Sequence, residues 1–161
     1  SAADILNSWD EHAIELILRG FGEEKYSGKI AREIVERREV KPFKTTFDLV
    51  EAVEVAKPKS WREKINPATK TFQALRIATN EELTALEEGL ARAFECLRPS
   101  GRLAVISFHS LEDRIVKNFF RDMVKEGKGE FINKKPIVPT ELEVKENPRS
   151  RSAKLRIIKK L

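Results

Sequence analysis

Apolar residues recur at helical spacing through the early part of the chain. Glu11 to Arg19 carries Ile14, Ile17 and Leu18 on one face and stops at Gly20 and Gly22, which predicts an amphipathic helix with a glycine stop. Ser27 to Glu39 predicts a second. Tyr26, Ile30 and Ile34 form its stripe with Ala31 and Val35 beside them, while Arg32, Glu36 and Arg37 point outward. Pro42 breaks the chain, and Thr45 or Thr46 can cap a third helix whose apolar positions are Phe47, Val50 and Val53. Lys57 to Pro67, with two prolines and charges of both signs, reads as a loop. Two helices then follow between Thr69 and Leu97 with a joint near Asn80, the second presenting Leu83, Leu86, Leu90, Ala93, Phe94 and Leu97 on one face.

The pattern changes after Arg98-Pro99-Ser100-Gly101. Arg102 to Ser107 is a short, nearly continuous apolar run, the pattern of a strand covered on both faces. The stripe Leu111, Ile115, Phe119 and Met123, flanked by Val116 and Phe120, predicts another amphipathic helix. Helix, turn, buried strand, helix is the repeating order of an open α/β sheet, with its ligand-facing loop at the C-terminal end of the strand. Phe131-Ile132 can begin a short strand, Pro136 to Pro148 reads as loop, and Ala153 to Lys160 as a last strand.

Length and charge narrow the classes. The 161 residues suit one compact domain, and 40% apolar composition excludes wholesale disorder. The apolar runs are far shorter than the ~20 residues that span a bilayer, and the start lacks the basic, apolar, small-residue order of a signal peptide. A single cysteine, Cys96, excludes an internal disulfide, so a reducing cytoplasm is the expected compartment. The 31 basic residues exceed the 26 acidic ones by only 5. Their placement matters more than the sum: Asn147 to Leu161 holds Arg149, Arg151, Lys154, Arg156, Lys159 and Lys160 with no acid, and Lys57 to Arg76 has only Glu63 against its cations. Such stretches suit a polyanion, because Lys and Arg displace counterions from phosphates. A solvated basic surface is the alternative.

The densest chemistry is Ser107-Phe108-His109-Ser110-Leu111-Glu112-Asp113-Arg114, where the apolar strand turns into a helix. Helix N-terminal amides there favour an anion or a polar ligand atom. Ser110 with Asp113 three residues on also has the spacing of a capping box, so Ser110 can be a plain cap. His109 fits hydrogen bonding at the strand end and work on a substrate equally. Metal ligation by His109, Glu112 and Asp113 lacks further ligands, since the other histidine is His12, and no metal is expected. No G-x-S-x-G elbow accompanies the serines. Gly20-Phe21-Gly22 follows a helix and Gly127-Lys128-Gly129 ends one, so neither is a dinucleotide loop, and the G-x-x-x-x-G-K-[ST] loop is absent.

Three long stretches carry a family resemblance: Pro67 to Ile77 (PATKTFQALRI), Arg102 to Lys117 (RLAVISFHSLEDRIVK) and Asn147 to Arg156 (NPRSRSAKLR). Together with Ala2 to Asn7 and Gly22 to Lys25, they resemble, in the family's order and over essentially the whole chain, the bacterial 16S ribosomal RNA (cytosine-N4)-methyltransferases, the RsmH or MraW family. The resemblance implies a Rossmann-like catalytic domain with an inserted helical substrate-recognition domain, and methyl transfer from S-adenosylmethionine to the N4 amine of a cytidine in small-subunit ribosomal RNA. On that template the fold class is α+β, or partial α/β: residues 1–66 match the helical insertion, and residues 67–161 match the C-terminal half of the catalytic domain, about three strands with flanking helices. The other half, which in the family carries the glycine-rich cofactor loop, is expected to be missing, so no cofactor-binding residue is assigned here and tight S-adenosylmethionine binding by this chain alone is not expected. One departure is Ser100-Gly101, where the family usually has Gly-Gly.

Candidate roles follow from the required chemistry. Ser107, His109 and Ser110 form the candidate catalytic rim. Arg149, Arg151, Lys154 and Arg156 are candidates for RNA phosphates, and Lys70, Gln73 and Arg76 for the same surface or for interdomain packing, while Thr71, Phe72 and Ile77 read as core. The expected partner is small-subunit ribosomal RNA, with no membrane. Loss of neighbouring strands would expose an edge of Leu103 to Ile106, so self-association is a further expectation. Two functions compete: an inactive methyltransferase fragment, favoured by a start at Ser1-Ala2-Ala3-Asp4 without methionine, and a stand-alone RNA-binding module that has lost catalysis.

Overall fold

The computed structural model describes residues 1–58 and 66–161. It divides into two compact units, Ser1–Glu82 and Leu83–Leu161. The part of the expected Lys57–Pro67 loop over residues 59–65 lies outside the described residues.

The first unit is all helix. α1 (Ala2–Ser8) starts at a capping box in which the Asp4 amide donates to the Ser1 hydroxyl and the Ser1 α-ammonium donates to the Asp4 carboxylate. α2 (Glu11–Gly20) is capped by Asp10 and buries Ile14 and Leu18, and α3 (Ser27–Val40) buries Ile30, Ala31 and Ile34, the expected stripes. Each fully buried Leu or Ile contributes roughly 1.5–3 kcal/mol relative to exposure. α4 (Thr46–Ala56) differs from expectation. Thr45 caps it in a second reciprocal box with Asp48, but the buried positions are Leu49, Ala52 and Val53, while Phe47 is 76% exposed. At about 100° per residue Phe47 lies on the side of the helix opposite Leu49, Ala52 and Val53, while Val50 at the flank and Val53 pack as expected.

α5 (Thr69–Asn80) joins the same core through Ala74 and Leu75, so compactness places it with the first unit. Thr71 and Ile77 are buried and Phe72 half-buried, as expected of core positions. Gly22 is what permits the approach to α5: a Cβ there would lie 2.6 Å from the Leu18 carbonyl oxygen and 2.7 Å from that of Lys70. A buried ion pair locks the same corner. The Lys57 ammonium sits 3.2 Å from the Glu24 carboxylate and donates to the Pro67 carbonyl, and the second Glu24 oxygen accepts the Tyr26 amide.

The second unit is helices on a small antiparallel sheet, which makes the fold α+β. α6 (Glu82–Cys96) and α7 (Ser110–Lys125) pack Leu90, Phe94, Val116 and Phe120 with Ile158. β1 (Arg102–Ser107), β2 (Gly129–Phe131) and β3 (Lys154–Lys160) form a sheet of order β1-β3-β2, with both pairings antiparallel. β1 and β2 therefore run in the same direction with α7 as the crossover between them, and β3 is inserted between the two. This is a split form of the strand-helix-strand unit expected from the sequence. A short helix, α8 (Glu141–Glu146), and a 3-10 turn, Pro148–Ser152, occupy much of the stretch expected to be loop.

The expectation that Arg102–Ser107 is covered on both faces is corrected. Leu103 and Val105 pack on the core, whereas Arg102, Ala104 and Ile106 are exposed, Ile106 at 58%. The core helices of this unit pack against one face, and among the described residues β1 is paired only with β3. The turn before β1 explains the glycine preference noted above. Ser100 adopts φ 67°, the left-handed region, and a Cβ on Gly101 would lie 2.8 Å from the Arg98 carbonyl oxygen. Among the described residues no helix is long and apolar enough to cross a membrane.

Candidate functional site

The C-terminal end of β1 gathers most of the expected site. Its last residue, Ser107, is buried, and its hydroxyl lies 3.5 Å from the carbonyl oxygen of Lys154, its register partner on β3. The chain then turns through Phe108 and His109 into α7. His109, not Ser110, caps this helix: its Nδ1 accepts the Glu112 amide at 3.3 Å, and the Glu112 carboxylate accepts the amides of Phe108 at 2.8 Å and His109 at 3.3 Å. The reciprocal box is His109 with Glu112, replacing the Ser110–Asp113 box expected from spacing. Because Nδ1 is an acceptor, the neutral imidazole carries its proton on Nε2. Among the described residues that Nε2 is buried without a hydrogen-bond partner, 3.4 Å from the other Glu112 oxygen. Ser110 opens the helix and is half-buried.

Asp113 is taken up by a different task. The Arg156 guanidinium grips it with two bonds, Nε to Oδ1 at 2.7 Å and Nη2 to Oδ2 at 3.2 Å, and the Lys154 ammonium lies 3.3 Å away. Burial pushes the Asp113 carboxyl up, but Arg156 and Lys154 outweigh it and hold it below its ordinary range. The clamp ties the first turn of α7 to β3 and fixes the orientation of the β1 end. Arg156, expected at an RNA phosphate, is therefore buried and bound to Asp113, and Lys154 reaches the same carboxylate from a more exposed position.

Arg149 and Arg151 are exposed on the 3-10 turn that feeds β3. Asn147 caps this turn by accepting the Arg149 amide, and the buried Ser150 donates its hydroxyl to the Asn147 carbonyl. Two exposed arginines thus project from a braced turn that leads into the strand paired with the end of β1. Lys70, Gln73 and Arg76 are placed elsewhere, in the first unit. Lys70 and Gln73 donate to the carbonyls of Glu23 and Phe21, and Arg76 pairs bidentately with Glu82, so these side chains fasten α5 to its surroundings.

Sequence reasoning gave Phe108 no role and weighed Glu112 only as a metal ligand. Phe108 is 54% exposed at the tip of the turn, an aromatic among polar neighbours. Glu112 organises the turn through three backbone amides, its own included, and the signal for it was present: a glutamate three residues after the cap. Among the described residues no group of three or more His, Cys, Asp and Glu side chains could hold a metal ion.

The sequence profile of the MraW methylase family matches residues 1–161. The chain belongs to the MraW methylase family. It is 49% identical to the ribosomal RNA small subunit methyltransferase H of Paenibacillus sp. (strain JDR-2), covering 100% of this chain and 56% of that protein. The proteins of the same name from Coprothermobacter proteolyticus and Synechococcus elongatus are each 51% identical, over 99% and 100% of this chain and 53% of their own length. The chain thus spans about half the length of the curated relatives it matches.

Proposed function

We propose that this chain is the C-terminal part of an S-adenosylmethionine-dependent methyltransferase acting on the N4 amine of a cytidine in small-subunit ribosomal RNA, and that it supplies the RNA-facing side of the site, inactive by itself. The observation that carries this reading is the end of β1, where Ser107 is the register partner of Lys154 on β3, the strand that the braced turn of Arg149 and Arg151 leads into. Residues 1–66 correspond to the helical insertion and 67–161 to half of a Rossmann-like domain, a reading supported by the β1-α7-β2 crossover. The names of the relatives support the RNA substrate.

The residues present do not fit the cofactor. No glycine lies between β1 and α7, and the amides of Phe108, His109 and Glu112, which could meet a ligand anion, are held by the chain's own Glu112 and His109 side chains. What the chain can do is hold and orient RNA. A cytosine amine is a weak nucleophile because its lone pair is delocalised, so catalysis depends on placing an unstacked base accurately. Arg149, Arg151 and Lys154 suit the flanking phosphates, and Ser107, His109 and Ser110 the base edge.

Calorimetric titration tests the division of labour. No binding of S-adenosylmethionine by the isolated chain is expected, alongside salt-sensitive binding of a decoding-region RNA. Micromolar cofactor affinity would overturn the first statement, and RNA affinity unchanged in Arg149→Gln/Arg151→Gln/Lys154→Gln would overturn the second. The one-sided pairing of β1 and the exposure of Ile106 also favour self-association through that edge. A monomeric mass in light scattering, with fast amide exchange over residues 103–106, would refute it.

A further inference from the structure

We infer that the outward face of α7 is a second docking surface for an RNA phosphate backbone, an inference that rests on the RNA-binding reading above and extends it to a different element. Arg114, Lys117, Arg121 and Lys125 follow one another at spacings of three, four and four residues, which 3.6 residues per turn keeps on one face. All four are exposed. Val116, Phe120 and Met123 occupy the opposite face in the core, so the helix cannot turn the cations inward.

The acids of α7 do not cancel the charges of Lys117 and Lys125. Glu112 is held in the capping box and Asp113 in the Arg156 clamp, both in the first turn. That leaves Asp122, which pairs with Arg121 at 3.1 Å. The neighbouring helix shows that the charge is not simply general solubility: the exposed Glu87, Glu88 and Glu95 of α6 face a single cation of that helix, Arg92, itself 3.5 Å from Glu88. The unit therefore presents one acidic and one basic helix. At 1.5 Å per residue the basic stripe is about 16 Å long, enough to follow several consecutive phosphates. A linear polyanion fits such a row better than a single anion, because no buried polar group or cap selects one position along it.

The test is binding of a short RNA hairpin with an unpaired loop by the full 161-residue chain, as a function of salt. Lys117→Gln/Arg121→Gln/Lys125→Gln removes three exposed charges, and circular dichroism checks that folding is retained. Each lost phosphate contact lowers the slope of log K against log salt by about 0.7–0.9, so the triple variant is expected to reduce it by about 2 and to bind at least tenfold more weakly near 0.1 M salt. An unchanged slope, in a chain whose Arg149→Gln/Arg151→Gln variant does weaken binding, overturns the α7 surface while leaving the RNA reading intact. No RNA binding by the unmodified chain overturns both. Equal, equally α7-dependent binding to phosphatidylserine vesicles overturns the assignment to RNA.

Discussion

Replacing Asp113 by asparagine isolates the charge of the clamp from its shape. Asparagine keeps an oxygen for Arg156 but leaves the guanidinium, whose side chain is only 10% exposed, without a counter-charge. Removing one member of a buried pair costs about 3–5 kcal/mol. Lys154, 38% exposed, can turn to water and so contributes little, which places the expected loss near the lower end, about 3 kcal/mol. Hydrogen-exchange mass spectrometry reads the second unit directly. At roughly 1.4 kcal/mol per decade, amides of β1 and β3 that exchange through opening of the unit should do so about 100-fold faster in the variant. The acid dependence should change with it. The folded carboxyl titrates below its ordinary value of 3.8, so the unfolded chain takes up the proton first as pH falls. The clamp's contribution is complete above that ordinary value and is lost as pH drops through the folded one. Asp113→Asn should remove that part of the acid sensitivity. Acceleration below about fivefold, equivalent to about 1 kcal/mol, or an unaltered acid profile, would refute the clamp as the element that holds α7 to β3.

Three further outcomes follow from local geometry. Ser100→Gly relieves a left-handed residue worth about 1–2 kcal/mol against about 0.5–1 of added unfolded-state entropy, so thermal melts should show a small net stabilisation, and a lower midpoint would count against the turn as described. Gly22→Ala should lose about 1–3 kcal/mol by overpacking against the Leu18 and Lys70 carbonyls, whereas Gly20→Ala, with nothing within 4 Å, should not; equal urea midpoints for the two would sink the close approach. Glu112→Ala should cost about 1 kcal/mol through the lost cap of α7, with Glu112→Gln recovering most of it, and matching losses in the two variants would mean the carboxylate acts by charge rather than as a cap.

The helices were legible wherever the stripe was long. In α3 and α6 the apolar residues recur over several turns, and the buried set follows them. Phe47 is exposed because two stripes fit this segment, and the one that packs is Leu49, Ala52 and Val53, on the side of the helix away from Phe47. Sheet order was beyond the sequence for a different reason. The apolar run of β1 records which residues avoid water somewhere, not which partner covers them, and the insertion of β3 between β1 and β2 leaves no local mark. In the candidate site, the cluster at the end of β1 was readable as a cluster, but the division of labour within it was not. Ser110 and Asp113 have the spacing of a box, yet the long reach of Arg156 from β3 takes Asp113 away and the box closes on His109 instead. Lys70 and Gln73 show the same limit: a cation or amide on a helix looks available until its carbonyl partner, some fifty positions earlier in the chain, is brought beside it.

The insertion of β3 has a bearing on the order in which the second unit can form. Neither β1 nor β2 has another hydrogen-bonded strand neighbour among the described residues, so both wait for the strand that leaves the ribosome last of the three. Until residues 154–160 arrive, β1 lacks the edge that β3 will cover, and the acid that will anchor α7 has no guanidinium. The helical unit, whose contacts are complete by Glu82, faces no such delay. During synthesis these residues are thus expected to pass through a stage in which the helical unit is closed and the second is still adhesive, with chaperone capture acting on residues 102–107.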